Sequence, residues 1–133
     1  MNEERNRAIV SRLYEDLWNT GNLAVADELF AKPDRVKQYI ATFREAFPDI
    51  QHTVREMVAE GDTVVVRWSA HGSHMGTFHA IQPTGQRISY EGITITHLVD
   101  GKIAEHRTIW DTVAVLEQIG VIPRVRKTDG TRL

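Results

Sequence analysis

Cysteine is absent from the 133-residue chain, which removes disulfides, thiolate nucleophiles and sulfur metal ligands together. That composition suits a reducing compartment, and a cytoplasmic location is expected. No window approaches the roughly 18 apolar residues of a membrane span. The N-terminus, MNEERNRAIV, is charged where a signal peptide needs an apolar run. Strong charge of one sign is missing too. Lys and Arg number 16 against 18 Asp and Glu, a net of −2, so no field draws the chain to nucleic acid or to a membrane surface. There is no phosphate-cradling glycine loop and no Ser nucleophile signature. Internal repeats and linkers are also lacking.

What remains is an ordinary soluble composition, 41% apolar and 26% charged, long enough for one domain with a single core. Over residues 3–18, Ile9, Val10, Leu13, Tyr14, Leu17 and Trp18 form a wide apolar stripe, which predicts a helix. Asn19–Asn22 ends it, with Gly21 suited to a left-handed position. Asn22 is placed to cap a second helix through Phe30. Asp34 is placed to cap a third, with Val36, Ile40, Phe43 and Phe47 inward and Pro48 as its stop.

The character changes after Pro48. Segments 50–60, 63–71, 87–99 and 102–111 are rich in Val, Ile, Thr, Tyr and Trp, and the turns at Glu60–Thr63 and Asp100–Lys102 join them as antiparallel hairpins. A last helix is predicted from Thr112 to Ile119. The division expected is 1–48 mainly helical, 50–111 sheet, 112–120 short helix and 121–133 a polar, basic tail. Helices followed by a run of strands imply an α+β fold, with a curved antiparallel sheet wrapped on the N-terminal helices as a cone around an apolar pocket.

The run Gly72-Ser73-His74-Met75-Gly76-Thr77-Phe78, the Pro83-Thr84-Gly85 turn, the Asp100-Gly101-Lys102-Ile103 hairpin, Glu105-His106 and Trp110-Asp111 together resemble the SnoaL-like polyketide cyclase (ester cyclase) family of the nuclear-transport-factor-2-like superfamily. The helices around LYEDLWNTGNLAVADELF and YIATFREAFPDIQHTV resemble that family as well. The resemblance implies an α+β barrel and a cofactor-independent cyclase or isomerase. Asp111 would act as acid/base in an intramolecular aldol closure and His97 as a supporting cavity residue. It also implies an apolar or polyketide-like substrate. Two departures stand out: only Ala31–Asp34 separates the second and third helices, and Arg107 stands where relatives often carry an aromatic residue.

Asp111 has a second reading, as N-cap of the helix that follows it. His97 can equally be a satisfied structural histidine. Arg107 could bind an anionic group or a developing enolate oxygen, or lower the pKa of a nearby carboxylate. Strand alternation groups Ile103, Glu105, Arg107, Ile109 and Asp111 on one face, and Glu91, Ile93, Ile95, His97 and Val99 on one face of the strand before; a bulge would change this. Tyr14 and Trp68 are chosen to border the cavity because their polar ends want partners. Phe78 and Ile95 complete the substrate-binding set.

His71, His74 and His79 lie close in sequence but follow no standard zinc spacing, so no metal is expected. Two other functions compete. One is a non-catalytic binder of an apolar molecule. The other is an epoxide hydrolase using Arg107 and Asp111, for which a second carboxylate is wanting. A homodimer is expected, because Val65, Ile88 or Trp110 would leave apolar surface on the sheet.

Overall fold

A short helical layer comes first in the chain and a single sheet of four consecutive strands follows it. In the computed structural model, which describes residues 2–123, α1 spans Asn2–Arg12 and runs straight into a π-helical segment, Leu13–Trp18. α2 (Val25–Leu29) and α3 (Asp34–Ala46) follow. Then come β1 (Gln51–Glu60), β2 (Thr63–Ser73), β3 (Arg87–Val99), β4 (Lys102–Trp110) and α4 (Thr112–Gln118). The sheet is antiparallel in the order β1-β2-β3-β4, curved and unclosed, so β1 and β4 are its edges. Most of the tail at 121–133 lies outside the described residues.

The helical layer departs from the sequence pattern at three points. The single helix expected over 3–18 changes ladder after Arg12, where Asn19 N–H reaches Tyr14 O at 2.9 Å, an i→i+5 bond. Leu13, Tyr14, Leu17 and Trp18 are all buried by this wider turn. Asn22 makes no side-chain cap; the chain enters α2 through i→i+3 bonds from Val25, Ala26 and Asp27. Asp34 falls in the first turn of α3 rather than at its cap, where its charge still complements the helix N-terminus.

Two joints hold the layers together. The Asn19 side chain bonds the backbone of His52 twice, accepting from N–H at 2.7 Å and donating to C=O at 2.9 Å. At the other edge, Ala31 N–H donates to Ile103 O, and Lys102 Nζ reaches the carbonyls of Asp27 and Glu28. The unpaired side of β4 is thus covered where it begins.

Register decides which side chains face the helices. β3 alternates strictly, burying Ile88, Tyr90, Gly92, Thr94, Thr96 and Leu98. β1 carries an irregularity between Val54 and Glu56, and β4 carries one between Ile103 and Glu105, which face Leu98 and His97. The extra residue, Ala104, reverses the parity of β4. Ile103 points inward, but after the bulge it is His106, Thr108 and Trp110 that turn in, while Glu105, Arg107 and Ile109 are exposed. The grouping that placed Asp111 and Arg107 on the face of Ile103 is corrected on this ground. Ile88 is buried and Trp110 packs on Phe43 and Tyr90, so neither belongs to the outer surface as expected.

Gly92 sits beneath the Trp68 indole, where any Cβ would meet ring atoms of Trp68. Gly92→Ala is expected to destabilise the fold by about 1–3 kcal/mol, the scale of core overpacking. Urea unfolding measures the loss, and a shifted tryptophan emission would show that Trp68 has moved; unchanged stability and emission would refute the close packing.

Candidate functional site

Between the π-helical segment, α3 and the inner face of the sheet lies a small cavity of about 10 Å³, room for about one water. Its walls are aromatic: Tyr14 and Trp18 from the π segment, Tyr39 from α3, Trp68 from β2 and Tyr90 from β3. The polar residues of the wall are His52, Thr94, His106 and Thr108. Each comes from an inward register position. Thr94 pairs with Thr108 across β3 and β4, and His106 lies opposite Thr96.

Trp68 Nε1–H donates to Thr94 Oγ1 at 2.9 Å, and Thr94 Oγ1 lies 3.0 Å from Thr108 Oγ1. Thr94 thus bridges Trp68 and Thr108 across three strands. Tyr14 Oη lies near Thr94, whose hydroxyl offsets part of the rise in pKa that burial causes, but it forms no hydrogen bond of ordinary geometry. His52 Nδ1 is also without a partner. Its ring is held between indoles, with centroids 4.4 Å from Trp18 and 4.8 Å from Trp68, and lies 5.9 Å from Tyr14. A buried polar group left unpaired costs about 1–3 kcal/mol, so the fold carries a local penalty at this cavity.

Burial sets the ionisation of the wall. Desolvation, with smaller contributions from Arg44 and His71, lowers the His52 pKa to about 3. Desolvation lowers that of His106 to about 4. Both imidazoles are neutral at pH 7. Burial raises the phenols of Tyr14, Tyr39 and Tyr90, which stay protonated. The cavity thus offers neutral donors and acceptors in an aromatic box, with no Lys, Arg, Asp or Glu in its lining.

Of the site residues named from sequence, Tyr14 and Trp68 line the cavity. Asp111 is half-buried and does not line it; its Oδ1 accepts from Ala114 N–H at 2.9 Å, capping α4. His97 and Ile95 are exposed on the outer face, His97 with Nδ1 3.0 Å from Thr63 Oγ1. Arg107, opposite Ile95, is exposed there too. The cavity-facing placement expected for these three is corrected: Tyr90, Thr94 and Leu98 take the inner positions of β3, and the Ala104 bulge turns Arg107 out. Phe78 is buried against Phe43 and Phe47, in the core rather than in the cavity wall. His74 is buried on Thr84 while His71 and His79 are exposed, and among the described residues no group of three such side chains could hold a metal ion.

The sequence reading passed over His52, His106, Thr94 and Thr108. A usable signal was the alternation of Ile88, Tyr90 and Leu98 along β3, which puts Thr94 inside. It was masked by Ile93, Ile95 and Val99, which make the outer face equally apolar.

A histidine held neutral by burial destabilises the native state in acid. Above its unfolded pKa of about 6.5 its contribution is neutral; below it the unfolded chain binds a proton that the native state refuses. Stability is therefore expected to fall as pH drops from about 6.5 toward 4, by up to about 1.4 kcal/mol per pH unit for each of His52 and His106. Urea unfolding between pH 7 and 5 measures the slope, and His52→Phe should remove about half of it. A slope unchanged in that variant would show that His52 is not the group responsible.

Comparison with known proteins bears on what such a cavity serves. The model of the family described as SnoaL-like polyketide cyclase matches residues 8–119. The nogalonic acid methyl ester cyclase of Streptomyces nogalater is 29% identical over 119 residues, covering 77% of this chain and 89% of that one. The aklanonic acid methyl ester cyclase DnrD of Streptomyces peucetius is 29% identical over 89 residues, 66% of this chain and 61% of its own, so the match spans about three fifths of that relative. Among solved structures, a proposed SnoaL-like polyketide cyclase from Jannaschia sp. CCS1 superposes with a TM-score of 0.84 at 27% identity, over 91% of this chain and 95% of its own. AclR, a proposed hydroxylase from Streptomyces galilaeus, superposes with the same TM-score of 0.84 at 26% identity, over 94% of this chain and 87% of its own. With the family model covering residues 8–119, from the second half of α1 through all four strands and α4, the chain belongs to the SnoaL-like polyketide cyclase family.

Proposed function

We propose that this protein is a cofactor-independent enzyme of the cyclase type, which encloses a neutral, polyketide-like molecule in the aromatic cavity and closes a ring by an intramolecular aldol step. The observation that carries this reading is the wall itself: aromatic surface, with only uncharged hydroxyl and imidazole groups facing inward. The relatives named as methyl ester cyclases support it. An aldol closure moves one proton from carbon to oxygen as the carbon–carbon bond forms. It needs a proton acceptor and donor but no redox group or metal. A ligand of that size needs roughly 300 Å³ or more, so the aromatic wall, about 10 Å³ inside, must widen to admit it.

Asp111 is the acid/base in this proposal, at the end of β4 where the family resemblance puts it. His97 and Arg107, on the outer face, are left out of the set. The competing reading is a binder without chemistry. It is favoured by the absence of any carboxylate from the cavity lining and by the bond from Ala114 N–H to Asp111. Asp111→Asn separates the two, because Asn caps a helix about as well as Asp but cannot exchange a proton. With nogalonic acid methyl ester as the assay substrate, turnover is expected to fall by about 100-fold or more, with the melting temperature little changed. Undiminished turnover would reject Asp111 as the acid/base, and wild-type protein that binds but never turns over would leave the binder.

The second copy belongs to the same proposal. Val58, Ile93, Ile95 and Ile109 are exposed on the outer sheet face, Ile109 at 80%, and Arg67 is clamped there between Glu56 and Glu91. A homodimer covering this face is expected on size exclusion at micromolar concentration, and Ile95→Glu should elute as a monomer. A wild-type monomer would remove this part.

A further inference from the structure

We propose that Tyr14 and His52 form an oxygen-binding subsite at the cavity, which holds a carbonyl or enol oxygen of a neutral, flat ligand through the Tyr14 hydroxyl and the His52 imidazole. The inference rests on the enclosing cavity proposed above and adds to it which atoms grip the ligand and what chemistry they select.

Two independent observations meet here. Among the described residues, four buried side-chain atoms lack a hydrogen-bond partner: Tyr14 Oη, His52 Nδ1, His74 Nε2 and Thr96 Oγ1. Two of the four belong to residues that line the cavity, and they are neighbours, with rings 5.9 Å apart. Tyr14 is 2% exposed and His52 6%, so bulk water does not satisfy either group. The nearest internal partner for Tyr14 is Thr94, which already accepts from Trp68 Nε1–H and lies 3.0 Å from Thr108 Oγ1, and Tyr14 Oη makes no hydrogen bond of ordinary geometry to it. His52 is fixed from behind by the two Asn19 bonds to its backbone and flanked by two indoles, so its ring is held in place facing the void. A phenol donor and a neutral imidazole nitrogen match an uncharged oxygen that accepts a hydrogen bond. The surrounding Trp18, Trp68 and Tyr90 rings match a flat apolar body. A carboxylate would find no cation in the wall and would enter at the full cost of desolvation.

The test uses a ketone and its isosteric hydrocarbon, 9-fluorenone and fluorene, titrated calorimetrically into the full chain, with fluorene-9-carboxylate as the charged probe. Wild-type protein is expected to bind fluorenone about tenfold or more tighter than fluorene, the scale of one hydrogen bond, and to reject the carboxylate. Tyr14→Phe and His52→Phe should each shrink the ketone preference, the ratio of the two affinities, to below about threefold. Tyr14→Phe should also raise the melting temperature of the ligand-free protein, since it deletes an unpaired buried hydroxyl. A merely structural Tyr14 would instead shift both affinities together. No ketone preference in the wild type, or one that survives both substitutions, overturns the subsite while leaving the enclosing cavity intact. Failure to bind either neutral probe overturns the cavity reading and the subsite with it. The Asp111→Asn result, which reads turnover, decides neither.

Discussion

One inserted residue in β4 governs the chemistry of this molecule. Ala104 has no partner on β3, and beyond it every side chain of the strand changes face. The consequence is a cavity wall built from His106 and Thr108 with Trp110 beneath it, and an outer surface that receives Glu105, Arg107 and Ile109. Without the bulge, the continuation of Ile103's face would carry Glu105 and Arg107 into the helices as buried charges, at several kcal/mol each. The bulge lets a strand with a mixed pattern keep its charges in water and its uncharged groups inside.

The second constraint is the joint between the π-helical segment and β1. A π ladder is rare in proteins, and here it sets Tyr14 and Trp18 toward the sheet and leaves Asn19 positioned to grip the backbone of His52. The same joint creates the unsatisfied pair at the cavity. Burial holds His52 neutral and Tyr14 protonated, so the penalty is one of missing hydrogen bonds rather than of charge. Stability given up locally, in an aromatic cavity, is the pattern expected where a ligand completes the bonding.

The residues that carry the family resemblance mostly build the frame. Met75 and Gly76 donate backbone N–H groups to Ala46 O at the end of α3, and a Cβ at Gly76 would strike the Glu45 carbonyl. His74 is buried beneath the Pro83–Gly85 turn, bonded to Thr84, with its backbone N–H on Gln86. Phe78 locks onto Phe43 and Phe47. Asp111 caps α4, and Gln118 of that helix bonds Ser89 through both its backbone groups, finishing β3 where β4 has ended. A motif recognised in this stretch therefore reports how strands, turn and helices dock, and speaks only indirectly to the reaction.

The amino-acid order by itself determined the helical first third, the four strands and their hairpin turns, because apolar periodicity, Gly101 with Asp100 at a positive-φ turn and the Pro48 stop act over a few residues. It also picked Tyr14 and Trp68 as residues that border the cavity, since amphipathic rings in apolar stripes are drawn to such places. Which face of β3 and β4 turned inward was decided only in three dimensions. Both faces of β3 carry Ile or Val, so local pattern is degenerate, and a single unpaired residue of any size flips the parity of all that follows. His52, His106 and Thr108 became cavity groups, and His97, Ile95 and Arg107 surface groups, through register across strands far apart in the chain.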